Sequence, residues 1–125
     1  MFRKAIAIID DDPDLLNIYS DVLKMSGYTV SSFTDPLLAY KKIKENPNNY
    51  SLVIIDEKIP KINGLFRSTE LLEINPKINV IILSNFKNFK YNYKFSILKK
   101  PVSILKLINV VNESVSKSLS HDDKF

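Results

Sequence analysis

The sequence predicts an α/β domain in which helices alternate with the strands of a parallel sheet, and three observations carry that prediction. First, Ala5-Ile6-Ala7-Ile8-Ile9, Leu52-Val53-Ile54-Ile55 and Ile81-Ile82-Leu83 are short apolar runs without alternating polar residues, the pattern of strands buried on both faces. Second, the segments between such runs carry apolar residues at helical spacing, so strands and helices take turns along the chain. Third, runs end on charge: Asp10-Asp11-Asp12 after Ile9, Asp56 after Ile55, and Lys99-Lys100-Pro101 after Ile97-Leu98. Parallel strands joined by helices all point one way, so these groups converge on one rim, where such sheets bind ligands.

The first strand spans about Lys4 to Ile9. A helix follows from Pro13 to Ser26, with Leu15, Leu16, Tyr19, Val22 and Leu23 expected on its inner side. Asp12 can cap it, and Pro13 suits a first turn where the missing N–H is not needed. Gly27 stands just beyond the helix, where a left-handed residue is wanted. Tyr28 to Phe33 is the second strand. Asp35-Pro36 opens a second helix with Leu38 and Ile43 facing inward, and Asn46-Pro47-Asn48-Asn49 breaks it.

The third strand ends at Asp56. Pro60 and Gly64 frame a loop, Leu65 to Ile74 reads as a third helix, and Asn75-Pro76 closes it. Ile78 to Leu83 is the fourth strand, ending on Ser84, and Phe95 to Leu98 is the fifth. A last amphipathic helix after Ser103 groups Ile104, Leu107, Ile108, Val111 and Val115. The expected domain covers residues 1–120, with 121–125 a frayed tail.

Bulk composition narrows the classes. The 125 residues fit one domain with one core, and 45% hydrophobic with 26% charged residues is ordinary for a soluble globular chain. No apolar run approaches the roughly 18 residues of a membrane span, and no signal peptide is visible, so the expectation is cytoplasmic. Without cysteine there are no disulfides or thiolate metal sites, and two glycines leave no glycine-rich phosphate loop. The formal net charge of +4 comes from lysines crowded between 87 and 106, whereas the acidic residues crowd the start. A basic face can attract nucleic acid, but here it reads as a solvated surface.

Two carboxylates about 5 Å apart repel by roughly 3 kcal/mol at an effective dielectric of about 20. Asp10, Asp11 and Asp56 on one rim therefore need compensation. Lys100 supplies one positive charge, and Mg²⁺, which favours one or two carboxylates plus waters and phosphate oxygens, can supply the rest. Carboxylates, an amine and Mg²⁺ suit phosphoryl chemistry, with Asp56, alone at its strand end, as candidate nucleophile and Ser84 as a hydroxyl for a phosphate oxygen. Asp12 and Asp14 read instead as a cap and a favourable first-turn charge, and His121 as a tail residue.

Taken together, Ile8-Ile9-Asp10-Asp11-Asp12-Pro13, Ile54-Ile55-Asp56 with Ile59-Pro60 and Gly64, Ile81-Ile82-Leu83-Ser84 and Leu98-Lys99-Lys100-Pro101 resemble the receiver domain of two-component response regulators over nearly the whole chain. The resemblance implies a flavodoxin-like (βα)5 fold with strand order 2-1-3-4-5. It implies that Asp56 is the phosphoacceptor, that Asp11 and Asp56 hold Mg²⁺ with Asp10 acting through water and the Lys58 carbonyl as a further ligand, that Ser84 is the switch hydroxyl, and that Lys100 pairs with the phosphoryl group. The peptide bond to Pro101 is often cis in that family. Implied partners are a histidine kinase or phosphotransfer protein and a downstream effector protein. Catalysis would be self-directed only: phosphoryl transfer to Asp56, then hydrolysis of the acyl phosphate.

The chain also departs from the family. The interval from Ser84 to Lys100 is short, and a helix of two to three turns needs about 7 to 11 residues, so the fourth helix is expected to be short, irregular or absent. Asn85 replaces the usual small residue, and Ile97 stands where the family has an aromatic ring that swings inward; isoleucine is stiff at its first torsion. Aromatics and lysines alternate from Phe86 to Lys94, a pattern of partner contact or gap filling, or of a platform for single-stranded nucleic acid. Two readings follow: a stand-alone receiver phosphorylated on Asp56, with output through residues 85–100 and the last helix, or a phosphorylation-independent interaction module.

Overall fold

In the computed structural model, residues 4–56, 73–85 and 95–122 are described. They contain five strands: β1 (Ala5–Ile9), β2 (Val30–Phe33), β3 (Tyr50–Asp56), β4 (Asn79–Ser84) and β5 (Phe95–Lys99). All neighbours pair in parallel, in the order β2-β1-β3-β4-β5, as the resemblance implies. Three helices accompany them: α1 (Pro13–Met25), α2 (Pro36–Glu45) and α3 (Ile104–Asp122). A 3-10 turn, Pro47–Asn49, leads into β3 where the prolines and asparagines predicted a break.

Burial explains why the strands lack polar alternation. Side chains of Ile6, Ile8, Leu52, Ile54, Ile81, Leu83 and Leu98 join Leu16 and Leu23 of α1 and Leu107 and Val111 of α3 in one apolar layer. The intervening residues Ala7, Ile9, Val53, Ile55, Val80 and Ile82 point the other way and meet Ala39 and Ile43 of α2. With the strand period of two, both registers must be apolar when both faces are covered.

Local chemistry sets the helix ends. Asp12 accepts N–H bonds from Asp14 at 3.0 Å and Leu15 at 3.3 Å, and Asp35 accepts one from Leu37 at 3.0 Å. Proline occupies the first helical position after each cap. The end of α1 closes with Gly27 N–H on Lys24 O at 3.0 Å and Tyr28 N–H on Leu23 O at 3.1 Å, the paired bonds of a Schellman motif. Gly27 has φ of 98°, and a Cβ there would meet nothing within 4 Å. Gly27→Ala is therefore expected to destabilise the domain by about 1 kcal/mol through backbone strain alone, read from the midpoint of chemical denaturation.

Three inward assignments are corrected. Leu15 is 36% exposed, Leu38 46% and Ile104 46%. At about 100° per residue, Leu38 sits far around α2 from the buried Pro36, Ala39 and Ile43, and Leu15 leans off the line of Leu16, Tyr19, Ser20 and Leu23. The second strand begins at Val30, two residues later than expected, because Tyr28 N–H completes the helix cap instead. The loop with Lys58, Pro60 and Gly64, most of the third helix, and the aromatic–lysine segment that would hold a shortened fourth helix lie outside the described residues. No helix among those described is long and apolar enough to cross a membrane.

Candidate functional site

Strand register assembles the rim. Ile9 pairs with Ile55, so Asp10 and Asp56 follow side by side on adjacent strands. Asp56 pairs with Leu83, and Ser84, one step further, pairs with Lys99. Asp10, Asp56 and Ser84 are buried at 1%, 4% and 0% exposure, while Asp11 is exposed. Carboxylate oxygens of Asp10, Asp11 and Asp56 lie within 4.8 Å of one another.

Lys100 is the counterweight. Its Nζ donates to Asp56 Oδ2 at 2.5 Å, and its backbone N–H donates to the Ser84 carbonyl at 2.8 Å. One residue thus ties β3, β4 and the segment after β5 to the same rim. The Lys100–Pro101 peptide bond is cis.

Asp10 is placed against its own preference. Its backbone N–H donates to Phe33 O at 3.1 Å, and its Oδ1 accepts the Asp12 N–H at 3.0 Å. Its Oδ2 is buried and has no hydrogen-bond partner among the described residues. Burial above all pushes the Asp10 carboxyl upward, helped by the negative charges of Asp56 and Asp11, while the Asp12 N–H and Lys100 oppose the shift. An orphaned oxygen beside two other carboxylates is an arrangement that a hard cation satisfies, and the donor set is all oxygen, as Mg²⁺ requires. The residues present fit that ion. Lys58, the remaining expected ligand, is outside the described residues.

Two features of the site escaped sequence reading. Tyr19 reads from the sequence as a core residue; it is buried, and its phenol is held upward, first by burial and then by the charge of Asp10. Its position two turns beyond the aspartates was the available signal. Exposed apolar side chains also lie early in two helices. Leu15 and Ile18 open α1, and Ile104 and Leu105 open α3, on the sheet face those two helices share. Only burial data separate such residues from core ones at similar spacing.

Fold and site together define a doubly wound α/β domain with an acidic, lysine-paired centre at the carboxyl ends of its strands. The profile of the family described as the response regulator receiver domain matches residues 6–112, and the chain belongs to that family. It is similar to the response regulator receiver protein CpdR of Brucella abortus, 25% identical over 116 residues covering 88% of this chain and 95% of that protein. It is also similar to the two-component response regulator ARR10 of Arabidopsis thaliana, 32% identical over 119 residues. That match spans 90% of this chain but 21% of ARR10, so the likeness concerns one domain of a longer protein. Among solved structures, a CheY-like receiver domain protein from Methanospirillum hungatei superposes with a TM-score of 0.83 at 20% identity, covering 95% of this chain and 98% of that one, which supports the fold.

Proposed function

We propose that this receiver domain accepts a phosphoryl group on Asp56 from a histidine kinase or phosphotransfer protein in the cytoplasm and passes the signal on through protein contacts. The observation that carries the reading is the compact rim: three carboxylates within reach of one cation, with Lys100 on the candidate acceptor. An Asp56 oxygen attacks phosphorus; the new P–O bond replaces the donor's P–N bond, and the electron pair returns to the imidazole nitrogen, which takes a proton. Lys100 then exchanges part of its attraction for the carboxylate with the phosphoryl oxygens. Ser84, at the neighbouring strand end, offers its hydroxyl to the same group. Asp10, Asp11, Asp56 and the Lys58 carbonyl would hold Mg²⁺, which supplies charge neutralisation for the phosphoryl oxygens.

The exposed apolar residues Leu15, Ile18, Ile104 and Leu105, on two helices that share one sheet face, suit docking of the phosphodonor protein. Output falls to residues 85–100 and α3. A second reading, a phosphorylation-independent module, is favoured by Ile97, which packs against the Ala39 and Ile55 layer and has no ring to turn.

Incubation with Mg²⁺ and acetyl phosphate, read by intact mass, separates the two. The expected result is one added phosphoryl group on the wild type, none on Asp56→Asn, and none without Mg²⁺. A folded wild type that stays unmodified overturns the first reading in favour of the second.

A further inference from the structure

The outward faces of α1 and α2 carry matching patterns of opposite charge. On α1, Ile18 is 47% exposed and Met25 87%, with exposed Asp14, Asp21 and Lys24 around them. On α2, Leu38 is 46% exposed, with exposed Lys41, Lys42, Lys44 and Glu45. Leu38 and Lys41 repeat the spacing of Ile18 and Asp21 with the sign of charge reversed, and Lys24 and Glu45 reverse it again one turn on. Residues three or four apart share a helix face, so each pattern forms one continuous strip. The two helices cover opposite faces of the sheet, so neither strip can satisfy the other within one molecule.

We propose that a second copy of this chain docks its α2 strip on α1. The α1 strip sets Asp14 and Asp21 against Lys24, and the α2 strip sets Lys41, Lys42 and Lys44 against Glu45, so one is net negative and the other net positive. Like-on-like pairing brings net charge of one sign against itself, whereas α1 on α2 joins opposite signs and also places apolar on apolar. Such a contact is head-to-tail, leaving one free strip of each kind at the ends of every open assembly. Two short helices bury less than the roughly 1,200 Å² of a stable interface, so the association is weak and grows with concentration. It covers Ile18, which the proposed function assigns to donor docking, and so competes with a docking donor. The contact does not depend on phosphoryl chemistry.

Sedimentation velocity from micromolar to millimolar protein, without Mg²⁺ or phosphodonor, tests this. The wild type should gain weight-average mass with concentration, and high salt should reduce the gain. Asp21→Lys turns the α1 strip positive like α2, and Lys41→Glu cancels the net positive charge of the α2 strip; both positions are exposed, and each variant should remain monomeric. An equimolar mixture of the two should associate again, because the two reversed positions then face each other with opposite signs. A wild type that stays monomeric throughout overturns the proposal, as do single variants that associate like the wild type or a mixture that fails to recover.

Discussion

Replacing Lys100 with alanine is expected to destabilise the domain by about 3 kcal/mol in magnesium-free buffer, measured by urea denaturation. Its Nζ lies 2.5 Å from Asp56 Oδ2, and the two side chains are 21% and 5% exposed. Removing one partner of a buried pair leaves the other charge uncompensated, a loss of about 3–5 kcal/mol; the partial exposure of Lys100 places this site toward the lower figure. The remaining charge is not isolated, because Asp10 and Asp11 lie within the same cluster and add repulsion. Two controls identify the cause. Asp56→Asn in the Lys100→Ala background should restore most of the loss, giving a strong coupling in the double-mutant cycle. Mg²⁺ should narrow the gap between wild type and Lys100→Ala, because the ion neutralises the same carboxylates. Equal losses with and without Asp56 would show that the lysine acts by packing its stem instead.

Asp10→Asn is expected to change sign with the metal. Without Mg²⁺ it should stabilise the domain by about 1–2 kcal/mol, because it removes a buried negative charge whose Oδ2 has no partner among the described residues. With Mg²⁺ at about 100 times its dissociation constant, the wild type gains about 2.7 kcal/mol, whereas the variant gains much less. The stability order therefore inverts on adding the ion.

The pH dependence follows from the direction of the Asp10 shift. Folding raises this pKa, so the folded state takes up the proton more readily than the unfolded chain. Its contribution is fully present below the unfolded pKa and is lost as pH rises through the folded value. In metal-free buffer the wild type should lose stability relative to Asp10→Asn over that window. Mg²⁺ affinity should run the other way, falling as acid protonates the ligand. Thermal melts across this range, with and without Mg²⁺, check both signs; parallel pH profiles for the two proteins would contradict them.

Much of this was legible in the chain. Unbroken Ile and Val runs can only be strands with both faces covered, because a face open to water would need polar residues at every second position. Aspartate–proline pairs marked the starts of α1 and α2, since a side-chain acceptor and a residue without an N–H satisfy the first turn locally. Errors fell where spacing within one helix could not say how far its buried strip extends. Leu15, Leu38 and Ile104 are apolar, yet they are exposed. Their place depends on which side of each helix the sheet covers, as the buried Pro36, Ala39 and Ile43 fix it for α2.

The sequence by itself determined the alternation of strands and helices, the charged residues at the strand ends and the family to which the chain belongs, because each is written in local pattern or contiguous motif. Tertiary structure alone decided that Asp10 is buried with an oxygen unpartnered among the described residues, that Lys100 reaches Asp56, and that the Tyr19 phenol lies in the field of Asp10. It also decided which apolar side chains stay exposed. These are outcomes of register and crossover between segments far apart in the chain, and the distances they fix set desolvation and Coulomb energies that no single segment contains.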